Sequence, residues 1–298
     1  MIFHIRSLSA VFVSVLLLLF AFWVSGVEDI LLRMVGFPPW VGVGIVALLS
    51  ANLLVVSFRF WRVLGHFGIS LPWDIALRAS IAGAVAGLFV IPLLGQAMGR
   101  QSVLHGFGVQ PVVSACLAAY ERTLLGLLSG VLGTLGGFYL IGQSVVASFF
   151  EQIALVEILV AACGGGALSL WLGRSRFEAR LSGRVLSRIN FARVMLIAGL
   201  TLVGQFLMLG SFVVGILAVS QGIPFTSLLA ASALISLAAS LPITVGGWGV
   251  REIASVYVLG TLGVSEVDAL TMSVIVGLCS TLVTVVAAPF YLRKISHV

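Results

Sequence analysis

The chain has 298 residues, 60% of them hydrophobic and only 9% charged, with a formal net charge of +6. Soluble domains carry about 25% charged residues, so this composition, with a mean hydropathy of +1.22, excludes a soluble globular domain and predicts an all-α polytopic membrane protein. Most of the positive surplus falls in one loop, which argues against a nucleic-acid partner.

In chain order, the first apolar run, Ser7–Val27, follows Arg6 and is about 21 residues long, enough to span a bilayer. It ends in small residues as a signal peptide would, but secretory apolar cores are shorter, so it is expected to be an uncleaved helix. Trp40–Phe58 is the next span, with "FPPW" at its start, where proline is well tolerated. Val112–Leu140 and Gln143–Leu172 follow; the former contains Glu121 and Arg122, the latter Glu151 and Glu157. Val194–Ala218 and Val267–Leu292 complete six clear spans. Two apolar segments fit poorly: Ile75–Val109, interrupted by Pro92, Gly95, Gly99 and Arg100, and Pro224–Leu262, interrupted by "LPITVGGWGVRE". Each is too long for one helix and broken near its middle.

Basic residues collect in cytoplasmic loops. Arg6, Arg59 with Arg62, and Arg293 with Lys294 therefore go inside, as does the loop at 173–193, which holds six arginines against one glutamate. Both termini are then cytoplasmic, and each interrupted segment must leave on the side from which it entered. Six spanning helices with two opposed re-entrant helical hairpins satisfy every loop; two short spans per segment, ten helices in all, satisfy the same charges. The hairpin form is preferred because the halves are short.

The interrupted segments resemble one another. "GISLPWDIALRASIAGAVAGLFVIPLLGQAMGR" and "GIPFTSLLAASALISLAASLPITVGGWGVR" both pass from Gly-Ile through Ala- and Ser-rich sequence to Ile/Leu-Pro, glycines and Arg. Entering from opposite sides, they form an inverted repeat, about 40–140 and 194–292, within a single integral membrane domain over 1–298. Paired Gly/Pro-interrupted segments in the two halves of a transporter point to its binding site. The expected backbone breaks are Pro92, Gly95 and Gly99 in one copy and Pro242, Gly246, Gly247 and Gly249 in the other. Unpaired backbone at that depth must line a cavity or be buried in protein, and a permanently charged guanidinium beside it suits phosphate or carboxylate. Gln96, Arg100, Glu121, Arg122, Arg251 and Glu252 are therefore the candidate substrate-binding residues. Glu121 lies about nine residues into its span, roughly 13 Å along the axis, where an ionisable group usually faces a cavity or a partner. The candidate partners of Glu121 are Arg100 and Arg251; those of Arg122 are lipid head groups and Glu252. Arg176, Arg180, Arg184 and Arg188 recur every four residues, either as a basic helix face on anionic lipid or as plain topology signal. Cys116, Cys163 and Cys279 stand singly in apolar runs and the four histidines are scattered, so no metal site or cofactor is expected.

These motifs resemble the lysylphosphatidylglycerol synthase transmembrane region, a family of flippase-like membrane proteins. "LPITVGGWGVRE" resembles its signature Pro-x-Ser/Thr-x-Gly-Gly-x-Gly-x-Arg-Glu, "IPLLGQAMGR" with "AAYERTLLGLL" resembles its other half, and "RFWRVLGHFGI" resembles its Arg-Trp-Arg segment. Where the family commonly has an acidic residue after the first motif glycine this chain has Gln96, so proton or cation coupling is not carried over to that position. The resemblance implies translocation of an anionic phospholipid or lipid-linked intermediate across the bacterial inner membrane. The chain stops six residues past its last span, so lysyl-lipid synthesis is not implied. Two rival readings remain: a non-catalytic accessory subunit of a lipid or glycan pathway, and a membrane-embedded transferase, for which Glu121 and Glu252 are the only deep acidic candidates. The expected partners are membrane lipids, with a homo-oligomer or a membrane enzyme as further possibilities.

Overall fold

A computed structural model describes residues 27–140, 191–220, 222–241 and 244–292, together with Leu16 and Gly142. The described residues are helical throughout, apart from the short connections. The first expected span, apart from Leu16 and Val27, and the fourth expected span, with Glu151, Glu157 and Cys163, lie outside them, as does the arginine series Arg176, Arg180, Arg184 and Arg188.

Helix α1, Val27–Val35, precedes the first long helix. Glu28 and Asp29 in its first turn and Arg33 in its last complement the helix dipole. Arg33 also reaches Asp268 at 3.2 Å. Helix α2, Pro39–His66, starts on proline at its first position, where the missing N–H costs nothing. Helices α3, Trp73–Gly87, and α4, Pro92–Leu104, form a tight hairpin. A 3₁₀ turn at His105–Phe107 leads to α5, Pro111–Leu140. The second half repeats this order: α6, Phe191–Val219, then α7, Phe225–Ser240, and α8, Val250–Gly260, then α9, Glu266–Leu292.

Four of these helices, α2, α5, α6 and α9, are long and apolar enough to cross a membrane. The hairpin helices have 15, 13, 16 and 11 residues. At 1.5 Å per residue they reach roughly 17–24 Å, short of the ~30 Å hydrocarbon core. Each half therefore runs long, short, short, long. Helix α2 packs on α6. The hairpin of each half lies against the closing long helix of the other, α3 on α9 and α7 on α5. Trp61, near the end of α2, donates to the Leu71 carbonyl just before α3, and Ser102, near the end of α4, meets Tyr291 at the end of α9. At the start of the second hairpin, Thr226 on α7 meets Tyr139 at the end of α5.

Two larger apolar clusters, with a small third at Ile30, Leu270 and Val274, hold the described bundle. One joins Ile45, Phe212, Ile216, Ile235, Met272 and Val276; the other joins Phe60, Leu64, Ile75, Leu104, Leu117 and Ile197. In lipid the hydrophobic effect does not drive helices together, so close packing over small residues must. Gly95 and Gly99 supply it in the first hairpin. A Cβ at Gly99 would stand 2.2 Å from the Ala82 carbonyl oxygen, and one at Gly95 would stand 2.6 Å from the Cα of Gly87.

This corrects the sequence expectation for those two glycines. The backbone breaks before Pro92, and Gly95 and Gly99 lie inside α4. Leu93, Leu94, Gln96, Ala97 and Met98 are good helix formers, and the glycine face is needed for contact with α3. The second copy behaves differently. Gly246, Gly247 and Gly249 all take positive φ, at 62°, 78° and 90°, a region that only glycine enters cheaply. The described residues between α7 and α8 are non-helical, apart from a distorted 3₁₀ turn at Val245–Gly247. Pro242 lies outside the described residues.

Candidate functional site

Three arginines and one glutamate meet where α2, α4 and α5 converge. Glu121 on α5 accepts from Arg59 Nε of α2 at 2.9 Å through one carboxylate oxygen, and from Arg100 Nη1 of α4 through the other. Arg59, Arg100 and Glu121 are 5%, 1% and 2% exposed. Burying such groups costs several kcal/mol per ion unless each finds good hydrogen bonds, and sharing one carboxylate between two guanidiniums meets part of that need. Arg100 also lies 3.9 Å above the centre of the Phe60 ring, a cation–π contact that strengthens when desolvated. The stem of Arg100 runs past Gly83, where a Cβ would stand 3.3 Å from its Cγ. Arg122 is half-buried and donates from Nε to Gln96 Oε1 at 3.2 Å. Arg100 Nε, although buried, has no hydrogen-bond partner. Two buried guanidiniums thus share one carboxylate, an excess of one positive charge, and half-buried Arg122 beside them adds a second.

The second cluster is neutral. Helix α8 starts at the glycine break, so Arg251 and Glu252 sit in its first turn. Glu252 turns back and accepts from the Gly249 N–H at 2.6 Å, closing the helix start as a capping glutamate does. Its other oxygen accepts from Arg251 Nη2 at 2.6 Å and Nε at 2.9 Å, and from the Ser273 hydroxyl at 3.2 Å. The Arg251 guanidinium lies 4.7 Å from the centre of the Trp248 ring. It occupies space left open by Gly277 on α9, where a Cβ would stand 2.0 Å from Nη2.

The six expected substrate-binding residues thus fall into two groups. Gln96, Arg100, Glu121 and Arg122 come together; Arg251 and Glu252 pair with each other. Among the described residues no hydrogen bond or ion pair joins the two groups, so Glu121 takes Arg100 and not Arg251, and Arg122 takes Gln96 and not Glu252. The sequence reading missed Arg59, counting it as a surface charge on the strength of Arg62 nearby. It also missed Phe60, Trp248, Ser273 and Gly277, which carry no charge in an apolar run to draw the eye. The one available signal was Arg59 flanked by Phe58 and Phe60, a charge set inside aromatic sequence. Among the described residues no three His, Cys, Asp or Glu side chains gather in a way that holds a metal ion.

Residues 7–288 match the family described as the lysylphosphatidylglycerol synthase TM region. The chain belongs to this family. The match covers both clusters and both hairpins, so the motif resemblance at Pro92–Arg100 and around Gly246–Glu252 lies within the family's region. The lysylphosphatidylglycerol synthase TM region is a membrane family linked to lipid modification. No curated protein and no solved structure matches the chain.

Proposed function

We propose that this protein moves an anionic phospholipid or lipid-linked intermediate across the bacterial inner membrane. The observation that carries this reading is the excess positive charge of the cluster: buried Arg59 and Arg100 share the one buried carboxylate of Glu121, and half-buried Arg122 stands beside them. Uncompensated charge inside an apolar bundle is costly and marks a ligand path more often than a structural pair. An arriving phosphate would offset that excess and accept from the partnerless Arg100 Nε. Arg59 and Arg100 would then share two anions, the internal Glu121 carboxylate and the substrate.

The hairpins are read as re-entrant, since their helices are too short to span. The first is rooted among the ends of α2 and α9, the second beside the end of α5. With the arginine bias of the loops, this supports one integral membrane domain of two inverted repeats, with both termini cytoplasmic. In such transporters one repeat rocks against the other around a site near the midplane. The neutral Arg251–Glu252 pair serves as the fixed brace of the second repeat, and the charged cluster serves as the site.

The test is leaflet exchange of fluorescent phosphatidylglycerol and phosphatidylcholine in vesicles holding the pure protein. Wild type should exchange the anionic lipid, and Arg100→Gln should slow it by about tenfold or more, the loss of one charge-assisted hydrogen bond. Absence of exchange for any lipid would remove the transport reading and leave the accessory-subunit reading in its place.

A further inference from the structure

A second cationic pocket lies apart from the buried cluster, between the last turns of α2, the loop before α3 and the first turns of α6. It encloses about 250 Å³ and is lined by Trp61, Arg62, Ser70, Leu71, Arg193 and Leu196, among others. Arg62 and Arg193 keep part of their surface open to the pocket. Among the described residues Arg193 Nη1 donates to the Gly65 carbonyl, at a long 3.4 Å, and Arg62 lies against the Trp61 ring, 5.6 Å to its centre. Neither pairs with a carboxylate among the described residues, and no carboxylate lines the pocket. Among the described residues, two permanent charges therefore face one small cavity with no counter-ion.

The surroundings set the level of this cavity in a bilayer. Phe58, Trp61 and Trp73 form an aromatic cluster beside it, with ring centres 5.5–6.2 Å apart. Tryptophans gather at head-group depth, where one edge is apolar and the other wet. Its lining is part polar, from Ser70 and the two arginines, and part apolar, from Leu71, Leu196 and Ile197. The volume falls below the roughly 300–1,000 Å³ of pockets that enclose a whole ligand, which suits a head group whose acyl chains remain outside.

We propose that this pocket seats the phosphate of an anionic lipid head group between Arg62 and Arg193, as a peripheral site distinct from the transport cluster. Guanidinium forks bind phosphate oxygens in pairs, and the apolar part of the lining receives the glycerol end of the lipid. The site holds a resident lipid at one end of the bundle, whether or not the protein exchanges lipid between leaflets.

Native mass spectrometry of the full chain with phosphatidylglycerol and phosphatidylcholine tests this. Wild type should retain phosphatidylglycerol over phosphatidylcholine, and Arg62→Gln/Arg193→Gln should lower that preference about tenfold, given the attraction of each arginine for an anionic surface. Neither side chain holds a carboxylate among the described residues, so the variant should melt as wild type does, and Arg62→Lys/Arg193→Lys should keep most of the preference. An unchanged preference in the glutamine variant would overturn the site. Displacement of the lipid by millimolar inorganic phosphate would overturn the lipid assignment and give the pocket to a free anion. Leaflet exchange measured on the same variants reads the transport cluster separately, because neither arginine contacts Arg59, Arg100 or Glu121.

Discussion

Glu121 holds two guanidiniums at once, so its removal is a different experiment from removing either arginine. Glu121→Gln leaves Arg59, Arg100 and Arg122 facing each other with no anion, and breaking a buried pair in this way costs about 3–5 kcal/mol. The melting temperature in detergent should fall sharply. Adding Arg100→Gln to Glu121→Gln should restore part of it, since the second change removes an orphaned charge. Equal and additive losses would mean that Arg100 and Glu121 are not coupled. Gly277 offers the matching test in the second cluster. A methyl group there meets the Arg251 guanidinium, so Gly277→Ala should cost about 1–3 kcal/mol by overpacking. Relief of that cost in Gly277→Ala/Arg251→Ala would identify the clash as its source.

At the scale of elements, the two copies of one motif do different work. Gly99 exists to let α4 touch α3, and its contact is with backbone that cannot rotate away. Gly99→Ala should therefore separate the hairpin helices and cost at least about 1–3 kcal/mol. Gly247 exists for its backbone angle, so Gly247→Ala should cost about 1–2 kcal/mol through the left-handed conformation alone. These reasons are invisible in sequence, where glycine beside proline signals a break and a packing face equally well. Glu121 was legible because a carboxylate deep in an apolar run nearly always faces a cavity or a charged partner. Arg59 was not, because counting arginines for topology treats each as a surface charge. The Arg251–Glu252 pair was not legible either. Neighbours on a helix point apart, and only the turn of Glu252 toward the Gly249 N–H brings its carboxylate under the guanidinium. The alternation of long and short helices was readable from apolar length alone, since it depends on composition and not on contacts.

Among the described residues the molecule sets two internal charge clusters within apolar helices, one with excess positive charge and one neutral. If its two hairpins open to opposite sides, single cysteines should report it in a background with the native Cys116, Cys163 and Cys279 replaced. Ser70 and Gly106 flank the first hairpin, and Phe225 and Thr261 the second. Cysteines at the first pair should react with a membrane-impermeant maleimide from one side of the membrane, and those at the second pair from the other. Labelling of all four from one side would rule out the inverted arrangement. The central claim, that the net charge of the α2–α4–α5 cluster selects an anionic lipid, has a more direct test in Arg122→Gln. Arg122 hydrogen-bonds the neutral Gln96, so its loss leaves no orphaned charge and the fold should persist. The measurement is the ratio of phosphatidylglycerol to phosphatidylcholine exchange in vesicles, for wild type and Arg122→Gln. The account predicts that wild type favours the anionic lipid and that the ratio falls several-fold toward one in the variant; the same ratio in both proteins would contradict it.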